Sequence, residues 1–315
     1  MPVLHSRPLA VTHHANYLSC ASCCTFFYVV CLVILPYVTV YLLGGMWTKE
    51  SLVREQPAAR FRYEVLVEAH ASAPSAPFVP LSWSTSQAVN DALGSALRPC
   101  TLKAWEEDDE RDGLADKLNF VVRMPIDADA GERVHAASII VGVDVHFHQE
   151  FQLRMNASLR FEASSPLPGV AMQQTADLVL RSNHPQRSLD LSMREPCPQP
   201  VWALREPLQP TGAATTAEAV LAQYASCNDT AVLAPQPAVW TPGVASSFEA
   251  RLTLRVPPQL TTRRPGLLET LKLAAVQYIA FFFPIAFLLQ CLHGALFRFG
   301  IVSSRVHHPV KQHYF

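Results

Sequence analysis

The residues of this chain best placed to do chemistry are acidic. Asp108, Glu110, Asp112 and Asp116 fall at positions 1, 3, 5 and 9 of a segment with Gly113 at position 6. That is the oxygen spacing of a calcium loop, in which the glycine allows the sharp turn. Leu114 would add its carbonyl, and Asp116 would act through water. Asn119 stands where an EF-hand has its bidentate Glu, and no helical pattern flanks the segment. The plainer reading is an acidic, solvated turn. A second set is His146, His148 and Glu150, which share a face if their strand is regular. Two imidazoles and a carboxylate could hold zinc, but no fourth ligand is identifiable, and the solvated face of an amphipathic strand accounts for them as well. A third is Cys20-x-x-Cys23-Cys24. No matching second pair exists, so zinc is not expected there. These thiols could take S-palmitoyl chains, or they fill a helix face as small apolar residues.

Other chemistries have no signature. There is no G-x-S-x-G, H-E-x-x-H, P-loop or dinucleotide fingerprint, so the chain reads as a non-enzyme with no cofactor beyond the calcium just considered. Its 25 basic and 26 acidic residues nearly cancel, which argues against nucleic acid, whose binders need a basic stripe. Only 16% of residues are charged, against about 25% in a soluble domain.

That shortage of charge is local, and it defines the elements that must position everything else. No Asp, Glu, Lys or Arg occurs from Leu18 to Leu43 or from Leu273 to Phe297. Each run exceeds the ~20 apolar residues that cross a bilayer as a helix. The first is longer than the apolar part of a signal peptide, ~7–15 residues, and no small-x-small site closes it; it reads as a retained anchor. Pro36 and Pro284 lie inside the runs, where membrane helices tolerate proline. The expected layout is a tail at 1–17, a span at 18–43, a β-rich domain at 44–272, a span at 273–297 and a tail at 298–315. Basic residues barely decide the orientation. The sequons at Asn156 and Asn228 both fall in the middle segment, which favours a lumenal or extracellular domain with both tails cytosolic. Of eight cysteines, Cys100, Cys197 and Cys227 are in that domain. Three allow one internal bridge at most, and Cys197 with Cys227 is the first choice.

The middle segment alternates at period two. Phe61–Glu68, Leu118–Met124, Ala176–Arg181 and Phe248–Val256 read as half-buried strands. From Val141 to Phe161 the odd positions are apolar and the even ones mostly polar, with the set broken at Gln149. One strand of that length would run about 70 Å, so a turn is expected near His148–Glu150. Short alternating strands divided by proline-rich turns suggest an antiparallel β-sandwich. Ala214–Tyr224 is the one helix expected there, with Thr215 or Thr216 as N-cap.

The chain resembles a known family at this point. Trp47, Ser51, Glu55-Gln56-Pro57 and Arg60-Phe61 leading into Val65-Leu66-Val67 look like the start of the ectodomain of the transmembrane protein 231 family. Leu81-Ser82-Trp83-Ser84-Thr85, the acidic loop Glu106–Asp116 and Pro166-Leu167-Pro168-Gly169 are similar to it too, as are Asn228, Val232-Leu233, Trp240 and Val276-Gln277-Tyr278. The similarity spans about residues 18–297, is weak over 183–226 and is absent from the tails. The resemblance implies a two-pass membrane subunit of the ciliary transition zone. It would belong to the Meckel-syndrome, tectonic-like complex with tectonic proteins, B9-domain proteins and other membrane subunits. It would contribute to the diffusion barrier between ciliary and plasma membranes, to ciliogenesis and to Hedgehog signalling. It implies no catalytic residue. The family's acidic loop commonly has Asp or Asn where Glu110 stands.

Two other readings share the layout. A two-span channel subunit usually has a more cysteine-rich ectodomain than this one. An accessory subunit of a polytopic transporter is the other. No ionisable Asp, Glu, Lys or Arg lies in either span, which weighs against an ion pathway of the chain's own.

Overall fold

The computed structural model describes residues 12–17, 19–182, 184–187, 216–234 and 236–307. In chain order the elements are β1 (Thr12–His14), α1 (Cys20–Leu42), β2 (Ser51–Glu55), β3 (Ala58–Ala73), β4 (Ala76–Ser84), α2 (Gln87–Leu93), β5 (Thr101–Glu107) and β6 (Lys117–Pro125). There follow β7 (Arg133–Phe147), β8 (Leu153–Ser164), β9 (Gly169–Ser182), β10 (Gln186–Arg187), α3 (Thr216–Ala225), β11 (Asp229–Ala234) and β12 (Val239–Pro242). The last are β13 (Ser247–Arg255), β14 (Gln259–Arg264), α4 (Leu267–Arg298) and β15 (Arg305–His307). They form two compact units: Glu50–Arg264 is one, and the two chain ends, Met1–Lys49 with Pro265–Phe315, are the other.

The larger unit is mostly β-sheet. One sheet has the order β4-β3-β7-β8, and a second runs β11-β9-β13-β6-β5, with β12 also pairing with β9. In the first, Val67, Ile139 and Phe161 sit in register across three strands and are at most 3% exposed. Burying side chains of this size stabilises by about 1.5–3 kcal/mol each. Leu66 and Ile140 point to the opposite face of the same sheet, yet are also fully buried. That face is covered: the backbone amide of Ala217 at the start of α3 donates to the buried Glu68 carboxylate at 3.2 Å. The inner residues of the second sheet, among them Phe120, Leu252 and Met172, join the same core.

Three sequence expectations change in detail. The second sheet is not wholly antiparallel, because β13 runs parallel to β9. The alternation read over Phe61–Glu68 fails at Tyr63, which is 78% exposed. It sits at φ 61°, where the register of β3 slips between Phe61 and Val65. A β-bulge inserts residues and re-aims a side chain in this way. Thr216 is the first residue of its helix rather than the N-cap, and Thr215 lies outside the described residues. The turn expected near His148–Glu150 divides β7 from β8.

The smaller unit holds α1 and α4, both long and apolar enough to cross a membrane. Ser19 caps α1, its hydroxyl accepting from the Ser22 amide at 3.3 Å. The helices pack on each other. His293 of α4 stacks on Tyr28 of α1 with ring centroids 4.6 Å apart, and Ala274 is buried at the contact while Ala275 and Ala280 are exposed. Close approach through small residues is how membrane helices associate. The N-terminal β1 pairs antiparallel with the C-terminal β15, so both ends leave the helix pair on the same side.

Candidate functional site

The acidic loop between β5 and β6 folds on its own carboxylates. Asp108 accepts the amides of Arg111 at 2.6 Å and Gly113 at 3.0 Å. Asp112 accepts the amide of Leu114 at 2.8 Å. Asp116 accepts the amides of Asp109 at 2.7 Å and Glu110 at 3.2 Å. Short acidic side chains bind nearby backbone amides in this way and so define turns. Arg111 and Gly113 take left-handed φ of 58° and 85°; the glycine meets this at no steric cost. The Asp109 carboxylate receives the Lys117 ammonium at 2.5 Å.

One contact ties this loop to a distant segment. Nε2 of Gln56 donates to Oδ1 of Asp116 at 2.9 Å. That hydrogen bond is the leading reason the Asp116 carboxyl titrates below its ordinary value, and the two backbone amides and Lys117 add to it. Both oxygens of Asp108 and Asp116 and one oxygen of Asp112 are thus engaged by the protein. Among the described residues no group of three or more His, Cys, Asp or Glu converges as a metal site would require.

The histidine set is organised by a residue that sequence reasoning passed over. Glu55, at the end of β2, is 2% exposed. Its carboxylate accepts three consecutive amides of the β7–β8 turn: His148 at 2.8 Å, Gln149 at 2.7 Å and Glu150 at 2.9 Å. A buried carboxylate is tolerated when its lone pairs are met by donors like these. The rings of His146 and His148 lie 5.5 Å apart, while the Glu150 carboxylate turns to Arg263 at 3.5 Å. Burial is the main reason the His146 imidazole titrates below its usual value, with the nearby His148 and Arg154 adding to it. The signal for Glu55 was present, as it opens the Glu55-Gln56-Pro57 stretch, but its role needs two segments more than ninety residues apart to meet.

The remaining residues singled out are spread over both units. Cys100 is a free, half-buried thiol pushed up to about 12 by burial. Cys227 is disulfide-bonded; Cys197 lies outside the described residues. Asn228 is exposed, whereas Asn156 is half-buried in β8 opposite Asp144. Cys20, Cys23 and Cys24 are free thiols in the first turns of α1. A further close fit joins the Pro166–Gly169 stretch to Trp240. The indole Nε1 donates to the Leu167 carbonyl at 3.1 Å, and a Cβ on Gly169 would fall 2.3 Å from the indole ring.

A family model described as Transmembrane protein 231 matches residues 1–306. Proteins named Transmembrane protein 231 are similar over most of the chain. The one from Xenopus tropicalis is 29% identical over 88% of this chain and 86% of its own length. Those from Gallus gallus and Homo sapiens are 27% identical over 89% and 83%, and 26% identical over 96% and 93%, respectively. A solved structure, a cryo-EM structure of a proton-activated chloride channel, aligns with 90% of this chain and 100% of its own at 8% identity and a TM-score of 0.29; so loose an alignment carries no argument.

Proposed function

Because the chain belongs to the transmembrane protein 231 family, we propose that it works as a non-enzymatic membrane subunit of the ciliary transition-zone, Meckel-syndrome (tectonic-like) complex. In that role it contributes to the diffusion barrier between ciliary and plasma membranes, and through it to ciliogenesis and Hedgehog signalling. Its partners there are tectonic proteins, B9-domain proteins and the other membrane subunits. The β domain is lumenal or extracellular, and both tails are cytosolic. The observation that carries this reading is the family match over almost the whole chain. The names of the relatives describe no enzymatic activity, which supports the non-enzymatic part.

The physical design suits such a role. Two apolar helices anchor the chain in a bilayer. The β domain offers an open sheet edge at β5, and an extended segment of a partner can add to such an edge. Every residue of β5 is exposed or half-buried, including Trp105 at 47%.

The experiment is imaging of the full chain, tagged at its C-terminal tail, in ciliated cells. The expected result is a ring between basal-body and axoneme markers, with tectonic proteins co-purifying. A diffuse plasma-membrane or endoplasmic-reticulum signal would overturn the proposal. Orientation has its own check: glycosidase should increase the gel mobility of the wild type, and Asn228→Gln should remove part of that change.

A further inference from the structure

The two ends of the chain carry one sign of charge. No Asp or Glu occurs before Glu50 or after Arg298, while Arg7, Arg298, Arg305, Lys311 and six histidines lie in the two tails. The fold pairs the described parts of these ends. In the β1–β15 pair, Thr12 stands opposite His307 and His14 opposite Arg305, and the His13 imidazole shares a 2.8 Å hydrogen bond with the Ser304 hydroxyl. Arg298 closes the last turn of α4 beside them. His13, His14, Arg298 and Arg305 are all exposed. Next to this pair, His14, Asn16, Ser19, Ser303, Ser304 and Arg305 contribute to the lining of a hollow of about 410 Å³. Tyr17 and Phe299 stand out from the surface around it, 98% and 76% exposed, as rings at a membrane–water boundary do.

We propose that this acid-free surface of the paired tails binds the phosphate-bearing headgroups of anionic phospholipids in the leaflet at that end of the helix pair. Three features select that occupant. The surface is cationic with no Asp or Glu side chain in either tail to offset it. The apolar helices place it at headgroup level, since α1 begins at Cys20 just after β1 and α4 ends at Arg298 just before β15. The hollow is lined by hydroxyl, amide, imidazole and guanidinium groups, which suit a phosphodiester. Basic residues beside a bilayer draw on the negative potential of the cytoplasmic leaflet, each contributing about fivefold to binding. The inference rests on the two helices being spans and is independent of the ciliary role.

The test uses the full chain reconstituted in phosphatidylcholine nanodiscs doped with phosphatidylserine. The protein is then re-extracted, and the lipid that co-purifies with it is measured by mass spectrometry. Wild type should carry phosphatidylserine in excess of the input ratio, and salt should reduce the excess by screening. Arg298→Ala with Arg305→Ala should lower it at least about fivefold. Lys49→Ala with Lys272→Ala removes the same charge from the opposite helix ends and should leave it unchanged. No excess in the wild type, an excess that survives loss of both arginines, or an equal loss from the lysine pair would each overturn the proposal. So would crosslinking that finds the arginine surface covered by an acidic protein in place of lipid.

Discussion

The side-chain amide of Gln56 donates to the Asp116 carboxylate at 2.9 Å, across 60 residues of sequence. Both residues lie in stretches that carry the family resemblance, and the contact gives each a structural reason. Gln56 begins the approach to β3, and Asp116 closes the loop that leads into β6. The same Asp116 residue continues into the sheet, its carbonyl accepting the Val256 amide at 2.8 Å just after β13. The loop is therefore a clamp between three parts of the domain.

This clamp should make stability depend on acid in a defined direction. The Asp116 carboxyl is held below its ordinary value by Gln56 first and then by the loop amides and Lys117. A group lowered on folding contributes its stability above the unfolded pKa and loses it as pH falls through the folded pKa. Thermal melting of the purified chain should thus fall on acidification below the ordinary carboxylate range. Asp116→Asn should flatten that dependence, and Asp116→Ala should cost on the order of 1–2 kcal/mol at neutral pH. An unchanged acid profile in Asp116→Asn would show that another carboxylate governs it.

The loop's calcium-like spacing makes a separate prediction. Asp108 spends both oxygens on the Arg111 and Gly113 amides, and Asp112 spends one on the Leu114 amide. Asp108→Ala removes two of these bonds and should lower the melting temperature by the same amount in calcium and in chelator, a loss of about 1–3 kcal/mol. Calcium-dependent melting of the wild type that disappears in Asp112→Ala would instead mean that the loop opens to the ion.

Glu55 should be the most sensitive single carboxylate in the domain. Three turn amides depend on it at 2.7–2.9 Å, and it is almost wholly buried. Glu55→Ala leaves those donors without an acceptor and should cost about 2–4 kcal/mol, since bonds to a charged acceptor are worth roughly 1.5–3 kcal/mol each and their losses overlap. Glu55→Gln keeps one carbonyl but turns an amino group toward the donors, so it should fall between wild type and alanine. Hydrogen exchange of the His148–Glu150 amides is the local readout; protection equal to wild type in Glu55→Ala would refute the assignment.

What the sequence disclosed and what it hid follow from range. Apolar runs and period-two alternation are local, so the spans, the strands at Lys117–Pro125 and Ser247–Arg255 and the turn after Phe147 could all be read from the chain. The broken apolar set at Gln149 marked the turn but not its cause, which is Glu55 arriving from β2. The parallel pairing of β13 with β9 leaves no trace in either strand's own pattern. Tyr63 misled because its alternation is regular while its backbone is bulged, so an aromatic that looked inward-facing points to solvent. In the acidic loop the spacing could be read, whereas the hydrogen bonds that Asp108 and Asp116 make with the loop's own amides could not.

Among the described glycines, the closest approach is that of Gly169 to Trp240. A Cβ at 169 would meet the indole at 2.3–2.5 Å, closer than any side chain can stand, and the indole is held by its bond to the Leu167 carbonyl. Trp240 also lies against Phe248 with ring centroids 5.4 Å apart, so it has little room to retreat. Gly169→Ala should therefore destabilise by about 1–3 kcal/mol, the usual range for overpacking. Trp240→Leu removes the obstructing ring at a cost of its own. In the double variant the two losses should sum to clearly more than is measured, because the clash exists only when both the methyl and the indole are present. Melting of the wild type, both single variants and the double variant closes the cycle. Strict additivity would show that the chain around Gly169 shifts to admit the methyl without involving Trp240.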